Sequence, residues 1–332
     1  MFTQQTLKLV LPYCNIQDYT RLYQALDKEG QNEYKKYVIQ FANDNNNNND
    51  NMQLQSIPKL YRSIRVQLQL NNLSKLVKNN KSNSKSNSNN KSNDTWIIVG
   101  NFAKVDFTNA IISDITFYRC YLDQVTFKNS ILKNCSFVEC YMRKTNFTNA
   151  VITNTEFLRT EALSTLFVKA KCNNLYFNGV INAADFTSAD LSSAIFNNVS
   201  MMNVIFANVI CKNVRVLSSM LFQCNFTDSD LTNMVFDVAD IKSVIFSKHN
   251  IFGNTKFANA NINSVNFNDQ LLQNIRFIDC KIEATHFMKA KMQRAGFYNC
   301  EGKNINFNKS DIRNAEFMRT RFQNATFNNV MR

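Results

Sequence analysis

Phenylalanine recurs every ten residues through two thirds of the chain, and this period constrains the fold more than any other feature of the sequence. Three runs, each offset by one residue from the last, contain 22 of the 28 Phe residues. They extend from Phe107 to Phe177, from Phe186 to Phe246 with Val216 in one Phe position, and from Phe257 to Phe327. A fixed period indicates stacked copies of one unit, so we predict a repeat protein.

The underlying repeat is five residues long. An aliphatic residue occupies most positions midway between two Phe residues, as at Ile112, Leu122 and Leu132. Two residues before each central residue lies a small or modest apolar residue, and the other three positions are mostly polar. Neither the helical period nor the strand period gives this pattern. Each unit is therefore predicted to form one short side of a coil, with the central residue and the residue two before it pointing inward.

Four such sides would close a coil of twenty residues. Phe would line two opposite sides and Leu, Ile or Met the other two, so that large and smaller side chains fill the interior together. Coils stacked at the interstrand spacing of about 4.8 Å would make residues 97–332 a rod of roughly eleven to twelve turns. Side chains twenty residues apart would form columns, namely an amide ladder at Asn109, Asn129 and Asn149 and alternating charges at Arg119, Glu139 and Arg159.

Three segments carry a family resemblance: ADFTSADLSSAIF (184–196), SDLTNMVFDVADIKSVIF (229–246) and ANANINSVNF (258–267). They resemble the pentapeptide-repeat family and its A-[D/N]-L/F-x-x unit. The resemblance covers residues 97–332 and implies a mainly β fold, a right-handed quadrilateral β-helix. It implies little about activity, because fold and function separate readily in repeat scaffolds.

The period slips at two places. One residue is lost between Phe177 and Phe186, where the inward position falls on Asn182, and one is gained between Ile251 and Phe257. At the second slip His249 falls on an inward position, where a lone His is expected to be satisfied by hydrogen bonds. Two interpretations remain open at each slip: a bulge or looped corner, and a kink that creates a binding notch.

The cysteines follow the same five-residue register. Eight of the nine lie in the repeats, and all eight fall on inward positions: Cys120, Cys135, Cys140, Cys224, Cys280 and Cys300 in the small-residue position, and Cys172 and Cys211 in the centre. No C-x-x-C pair occurs, so we predict core packing with neither a metal nor a disulfide. Retained thiols fit a reducing compartment, and we expect an intracellular, cytoplasmic protein.

The first third of the chain has a different organisation. Residues 1–43 have helical spacing of apolar residues and are predicted to form a small α-helical N-terminal module. An Asn-rich linker (44–58) leads to a short ordered segment expected to be helical (59–77), followed by a disordered Asn/Ser/Lys linker (78–94). The repeat domain then occupies residues 95–332.

Residues 6–38 resemble an F-box, a small helical module that docks on a ubiquitin-ligase adaptor. The residues that carry this resemblance are Leu11, Ile16, Asp18, Tyr19, Leu22 and Leu26. It implies a ubiquitin-ligase adaptor as partner and a substrate-receptor role for the rod. The alternative is an ordinary helical cap over the first coil, as solenoids require.

The chain is basic, with a formal net charge of +13. This sign is wrong for the acidic mimicry of duplex DNA that some bacterial members of the family show. Between residues 281 and 332, ten Lys and Arg stand against four Asp and Glu, and seven basic residues are predicted to face outward as a binding patch: Lys289, Lys291, Arg294, Lys309, Arg313, Arg319 and Arg321. Nucleic acid, an anionic membrane surface or an acidic protein would suit this patch, and so would plain solubility.

The sequence predicts no catalysis and no cofactor. It has two His, His249 and His286, and six Gly, and none of the common catalytic or phosphate-loop motifs occurs. It also shows no transmembrane run and no clear signal peptide. We therefore predict a non-enzymatic protein–protein interaction scaffold. The alternatives are an F-box substrate receptor and a nucleic-acid or anionic-surface binder, and the C-terminal coil edge is a possible site of self-association.

Overall fold

The computed structural model describes a strand at residues 96–98 and all of residues 101–332, which form a parallel β-solenoid of about 11 coils. Each five-residue unit makes one side of a four-sided coil, and residues one coil apart pair in parallel, as Phe117 does with Phe137. No helix occurs in this range. The predicted helical module (1–43), both linkers and the segment 59–77 lie outside the described residues.

The strands are short, because each side of the coil is a single five-residue unit. In chain order they are β1 (Trp96–Ile98), β2 (Ile111–Ser113), β3 (Ile115–Tyr118), β4 (Ile131–Lys133), β5 (Ser136–Val138), β6 (Val151–Thr153), β7 (Glu156–Leu163), β8 (Tyr176–Asn182), β9 (Ile195–Met202), β10 (Arg215–Leu217) and β11 (Met220–Phe222). They continue with β12 (Val235–Asp237), β13 (Asp240–Lys242), β14 (Lys256–Ala258), β15 (Asn261–Asn263), β16 (Arg276–Ile278), β17 (Lys281–Glu283), β18 (Gly296–Tyr298), β19 (Glu301–Lys303), β20 (Glu316–Met318) and β21 (Arg321–Gln323).

Two columns of stacked Phe rings fill the interior. The ring centroids of Phe117 and Phe137 lie 4.7 Å apart, and those of Phe127 and Phe147 lie 4.8 Å apart. The columns meet edge to face, with Phe127 and Phe137 at 6.0 Å and 83°. Offset stacks and edge-to-face pairs are the arrangements that the ring quadrupole favours. The prediction that Phe lines two opposite sides is confirmed.

We number the four faces of the rod by their buried columns. Face 1 is built on the Phe column from Phe107 to Phe327, and face 2 on the column from Ile112 to Ile312. Face 3 carries the second Phe column, from Phe117 to Phe317, and face 4 the column from Leu122 to Phe322. Faces 1 and 3 are opposite, as are faces 2 and 4, since each coil runs through the faces in numerical order.

The corners explain why the repeats are rich in asparagine. The residue two after each central residue has a positive φ, 57° at Asn129 and 58° at Asn149, except after Phe246. This left-handed conformation costs most L-residues about 1–2 kcal/mol, and Asn and Asp adopt it more readily than others. The predicted amide ladder is present: Asn129 Nδ2 donates to Asn109 Oδ1 at 3.3 Å, and Asn149 Nδ2 to Asn129 Oδ1 at 3.1 Å. Val238 is a β-branched exception, with φ 54°.

The predicted charge column is also present. Glu139 lies between two arginines, with Arg119 Nε at 2.7 Å and Arg159 Nη2 at 2.8 Å from its carboxylate oxygens. The hydrogen bond from Arg119 lowers the pKa of Glu139 below its ordinary value. Because both arginines are exposed and Glu139 is only partly buried, the column contributes little to stability.

All eight cysteines of the repeats are buried and free, as predicted. Cys140 Sγ donates to the carbonyl of Phe117 at 3.2 Å, and Thr160, one coil further on, donates through Oγ1 to the carbonyl of Phe137 at 2.9 Å. Cysteine therefore takes the place of a hydroxyl residue in this inward column. Burial raises the pKa of Cys135 to about 11 and that of Cys224 to about 12.

The first slip is a bulge between β7 and β8. Their register shifts between Leu158 and Thr160, and Gly179 lies opposite Thr160. Gly179 has φ 139°, and a Cβ there would lie 2.3 Å from the carbonyl oxygen of Thr160, so only glycine fits. Because one residue is missing before Ile181, the inward central position falls on Ile181, which is fully buried. The sequence prediction that Asn182 points inward is therefore wrong by one residue.

The second slip is an inserted residue between Phe246 and Phe252. His249 is exposed, whereas Asn250 is buried and Phe252, not Ile251, is the inward central residue. Asn250 Nδ2 donates to the carbonyls of Phe226 and Ser229. The prediction that His249 points inward is therefore wrong, because an amide can satisfy the carbonyls that the longer corner leaves open.

Candidate anion-binding face

Five of the seven predicted basic residues lie together on one side of the rod. Lys291 and Arg313 are on face 2, Arg294 is at the corner between faces 2 and 3, and Lys289 and Lys309 stand one above the other at the corner between faces 1 and 2. We call these five residues the basic face. Arg319 lies at the corner between faces 3 and 4 and Arg321 on face 4, on the opposite side, so the structure does not unite all seven. All seven side chains are exposed.

The acidic residues of the same coils lie mainly on other faces. Glu283 is on face 4, where Lys281 and Lys303 approach its carboxylate at 3.4 and 3.6 Å. Glu316 is on face 3 and accepts a hydrogen bond from Tyr298 at 2.5 Å. Among residues 101–332, no carboxylate forms an ion pair with the three lysines and Arg294 of the basic face.

Two acidic residues lie on this side of the rod: Asp269, one coil from Lys289 in the same corner column, and Asp311, which is neutralised. Asp311 is 4% exposed, and Arg313 binds it through two hydrogen bonds, Nε to Oδ1 at 2.9 Å and Nη2 to Oδ2 at 2.7 Å. Gln293 Nε2 also donates to this carboxylate. The contact with Arg313 lowers the pKa of Asp311, so the carboxylate stays ionised and the pair stays formed. The other four basic residues therefore give the face a net positive charge.

A shallow depression crosses the basic face. Its lining consists of Gln273, Asn274, Gln293, Arg294, Arg313 and Asn314. These are two columns of three residues twenty apart, so the depression is built by successive coils at the same two outward positions. Two guanidinium groups and four amide groups line it, and all six side chains can donate hydrogen bonds to an oxyanion.

The basic residues occupy corners where the fold favours asparagine. Lys289, Lys309 and Arg294 have φ values of 58°, 61° and 61°, the left-handed conformation that Asn adopts most readily. Asn274 and Asn314 fill the corners on either side of Arg294 in the same column. Lys289 stands between Asp269 on one neighbouring rung and Lys309 on the other, so it has one favourable and one unfavourable charged neighbour in this column.

The four amide residues of the depression were not among the predicted site residues. They belong to no local motif, but they share columns with Arg294 and Arg313 at intervals of twenty residues. Writing the sequence in rows of twenty would have aligned them. The structure also separates His249, at the inserted corner, from His286 on face 1.

Within residues 101–332, no three His, Cys, Asp or Glu side chains are grouped as metal ligands. The same part of the chain contains no apolar helix of membrane-spanning length.

The repeats match two models of known protein families. A family model described as pentapeptide repeat region matches residues 110–183 and 250–327, and a second, described as pentapeptide repeats (8 copies), matches residues 184–216. A comparison with curated proteins finds no match.

Several solved structures are similar to this chain. HetL, a pentapeptide repeat protein involved in heterocyst differentiation regulation from the cyanobacterium Nostoc sp. strain PCC 7120, is 11% identical over 68% of this chain and 87% of its own, with a TM-score of 0.33. QnrB1, a plasmid-mediated fluoroquinolone resistance protein, is 18% identical over 55% of this chain and 91% of its own, with a TM-score of 0.36. The periplasmic alginate epimerase AlgG is 6% identical over 70% and 76%, with a TM-score of 0.26.

The two family matches together span more than half of the chain, and they coincide with coils whose inward columns and corners repeat every five residues. The chain belongs to the pentapeptide-repeat family.

Proposed function

We propose that this chain is a non-enzymatic scaffold that binds an acidic protein surface through its basic face. The observation that carries the proposal is the segregation of charge in the last coils. Four unpaired basic side chains project from one side of the rod, and the carboxylates of the same coils lie on other faces or are neutralised.

The geometry of the rod supports a macromolecular partner. The coils have a filled interior of stacked rings, and the side chains of the basic face project from stacked strands and corners about 4.8 Å apart. A preorganised array of cations loses little conformational freedom of the backbone on binding, and its field steers an oppositely charged partner. The polar depression adds hydrogen-bond donors for carboxylate groups.

Charge reversal tests this proposal with a control built into the same coils. The test variant is Lys289→Glu, Lys291→Glu and Arg294→Glu in the full chain. The control variant is Lys303→Glu, Arg319→Glu and Arg321→Glu, which changes the net charge equally on faces 3 and 4. We expect the salt concentration needed to elute the protein from immobilised poly-glutamate to fall by at least half for the test variant and to change little for the control. Equal falls in both variants would refute the proposal.

A nucleic-acid or anionic-surface role is the second candidate, and the depression favours it. Two guanidinium groups flanked by amides also suit phosphate oxygens. The same two variants would be applied to duplex DNA and to phosphatidylserine vesicles at matched ionic strength. Stronger, face-dependent retention on either of these than on poly-glutamate would select the second candidate.

The F-box hypothesis concerns residues 6–38, which lie outside the described residues, and it stays a prediction. Its measurement is affinity purification of the full chain from its native cells, alongside the full chain carrying Leu22→Asp and Leu26→Asp. Recovery of a ubiquitin-ligase adaptor with the unaltered chain alone would support the receptor role.

A further inference from the structure

An uncharged apolar stripe runs along face 4 in the middle of the rod. Four of its members are between 38% and 45% exposed, namely Leu163, Val180, Met202 and Met220. The fifth, Phe222, is partly buried. Glu161 lies at one end, one coil beyond Arg143, and Asp240 and Lys242 lie at the other, where Lys242 Nζ is 5.8 Å from the ring centroid of Phe222. Between these ends, no Lys, Arg, Asp or Glu occupies an outward position of face 4. Asn182 and Ser200 are the polar members of the same outward positions, so the five apolar side chains form most of this surface, and exposed apolar surface of this kind marks a contact site.

The stripe coincides with the bulge at Gly179. The missing residue there leaves a groove at the corner between faces 3 and 4, and Val180, Ser200 and Met220 line it on the face-4 side. The groove is also lined by Arg159, Glu161 and Asp240. Within residues 101–332, the apolar side chains and the single deleted position therefore belong to one surface feature.

We infer that residues 59–77 of the same chain cover this stripe. That segment has apolar residues at alternate positions, Ile64, Val66, Leu68 and Leu70, with Arg65, Gln67 and Gln69 between them. It carries four basic residues, Lys59, Arg62, Arg65 and Lys75, and no acidic residue. Its apolar side chains thus match the apolar side chains of the stripe, whose ends carry charges of both signs.

The length of the intervening chain fits this occupant. β1 lies on face 3, next to the corner that bears the groove, and the stripe begins three coils from β1 and ends six coils from it. At one interstrand spacing per coil, this is about 14–29 Å. Residues 78–94 contain only Lys, Asn, Ser and Asp, and a chain of 17 such residues has a root-mean-square span of about 21–25 Å.

This match favours the chain's own segment over a second copy. A tether whose average span equals the distance to its site gives an effective concentration in the millimolar range. A second copy would compete only at comparable protein concentrations. The intramolecular contact also leaves the basic face free, because the stripe lies on the opposite side of the rod.

Site-specific photo-cross-linking in the full chain tests the inference. A benzoylphenylalanine at Met220 is compared with one at Leu271, which is 46% exposed on face 2. We expect cross-links from position 220 to residues 59–77 within one chain, at least tenfold more abundant than from position 271 and independent of protein concentration. Equal yields from both positions, cross-links between two chains, or no cross-link to 59–77 would overturn the inference.

A change in the segment itself provides a second measurement. Ile64→Asp with Leu68→Asp should reduce the cross-link from position 220 at least tenfold, whereas Ile64→Val with Leu68→Met should preserve it. Far-ultraviolet circular dichroism verifies that the solenoid is intact in both variants. An unchanged cross-link in the Asp variant would refute the contact, and this outcome is independent of retention on poly-glutamate.

Discussion

Glycine and alanine substitutions should rank in opposite orders of stability at two adjacent residues, one at a corner of the coil and one beside it. At Asn129, which has φ 57°, both Asn129→Ala and Asn129→Gly remove the two ladder hydrogen bonds, but only glycine adopts this φ without steric cost. The steric cost of alanine is about 1–2 kcal/mol. The entropic cost of glycine is about 0.5–1 kcal/mol. The glycine variant should therefore be the more stable of the two, by about 0.5–1 kcal/mol.

Lys128 is the matched control, because it is the neighbouring residue, is exposed and does not have a positive φ. There the entropic term acts alone, and Lys128→Gly should be less stable than Lys128→Ala by about 0.5–1 kcal/mol. Urea unfolding followed by circular dichroism measures the four free energies of unfolding. If glycine and alanine rank in the same order at both positions, the explanation of the Asn-rich corners by backbone conformation is wrong.

Three further predictions concern the core, the thiols and the last coil. Phe277→Ala should lower the free energy of unfolding by about 3–5 kcal/mol, because its ring is fully buried between two stacked rings, and Phe317→Ala, in the same column but 37% exposed, should cost clearly less in the same urea titration. Burial raises the pKa of Cys135 to about 11, so the unfolded chain releases a proton that the folded chain keeps, and stability should fall as the pH rises from about 8.5 towards 11. Cys135→Ser should reduce this fall, and an unchanged pH dependence would contradict the burial argument. Self-association through the last coil, where Phe317 and Met318 are exposed, should make the elution volume depend on protein concentration, and Met318→Lys should remove that dependence.

The repeat made most of the fold predictable from sequence, whereas the slips were not. Between Phe246 and Phe257, either Ile251 or Phe252 could be the inward residue, since both are large and apolar. The structure selects Phe252 because the inserted corner is closed by hydrogen bonds from the buried Asn250 to main-chain carbonyls. A polar residue in an inward position is invisible to a pattern based on hydrophobicity.

The candidate site was predictable only in part, because a window of sequence is not a face of the solenoid. Residues 281–332 were grouped by their excess of basic residues, but every twenty consecutive residues pass once around all four faces of the rod. Arg313 and Arg321, eight residues apart, therefore lie on opposite sides of the rod. Neutralisation of Arg313 by Asp311 also depends on side-chain geometry that spacing does not specify.

The basic face and the apolar stripe lie on opposite faces of the rod, so both surfaces can be bound at the same time. The solenoid fold requires neither of them. The fold constrains two inward positions and one corner in each unit, so neither the cations of face 2 nor the apolar side chains of face 4 serve the packing of the coils. The stripe ends at Phe222, and the basic face begins at Lys289, about three coils or 14 Å further along the rod. At a Debye length of about 8 Å in physiological salt, charges on one feature barely act on the other. The Lys289→Glu, Lys291→Glu and Arg294→Glu variant should therefore leave the cross-link between position 220 and residues 59–77 unchanged, and a loss of that cross-link would mean that the two surfaces are coupled through the rod.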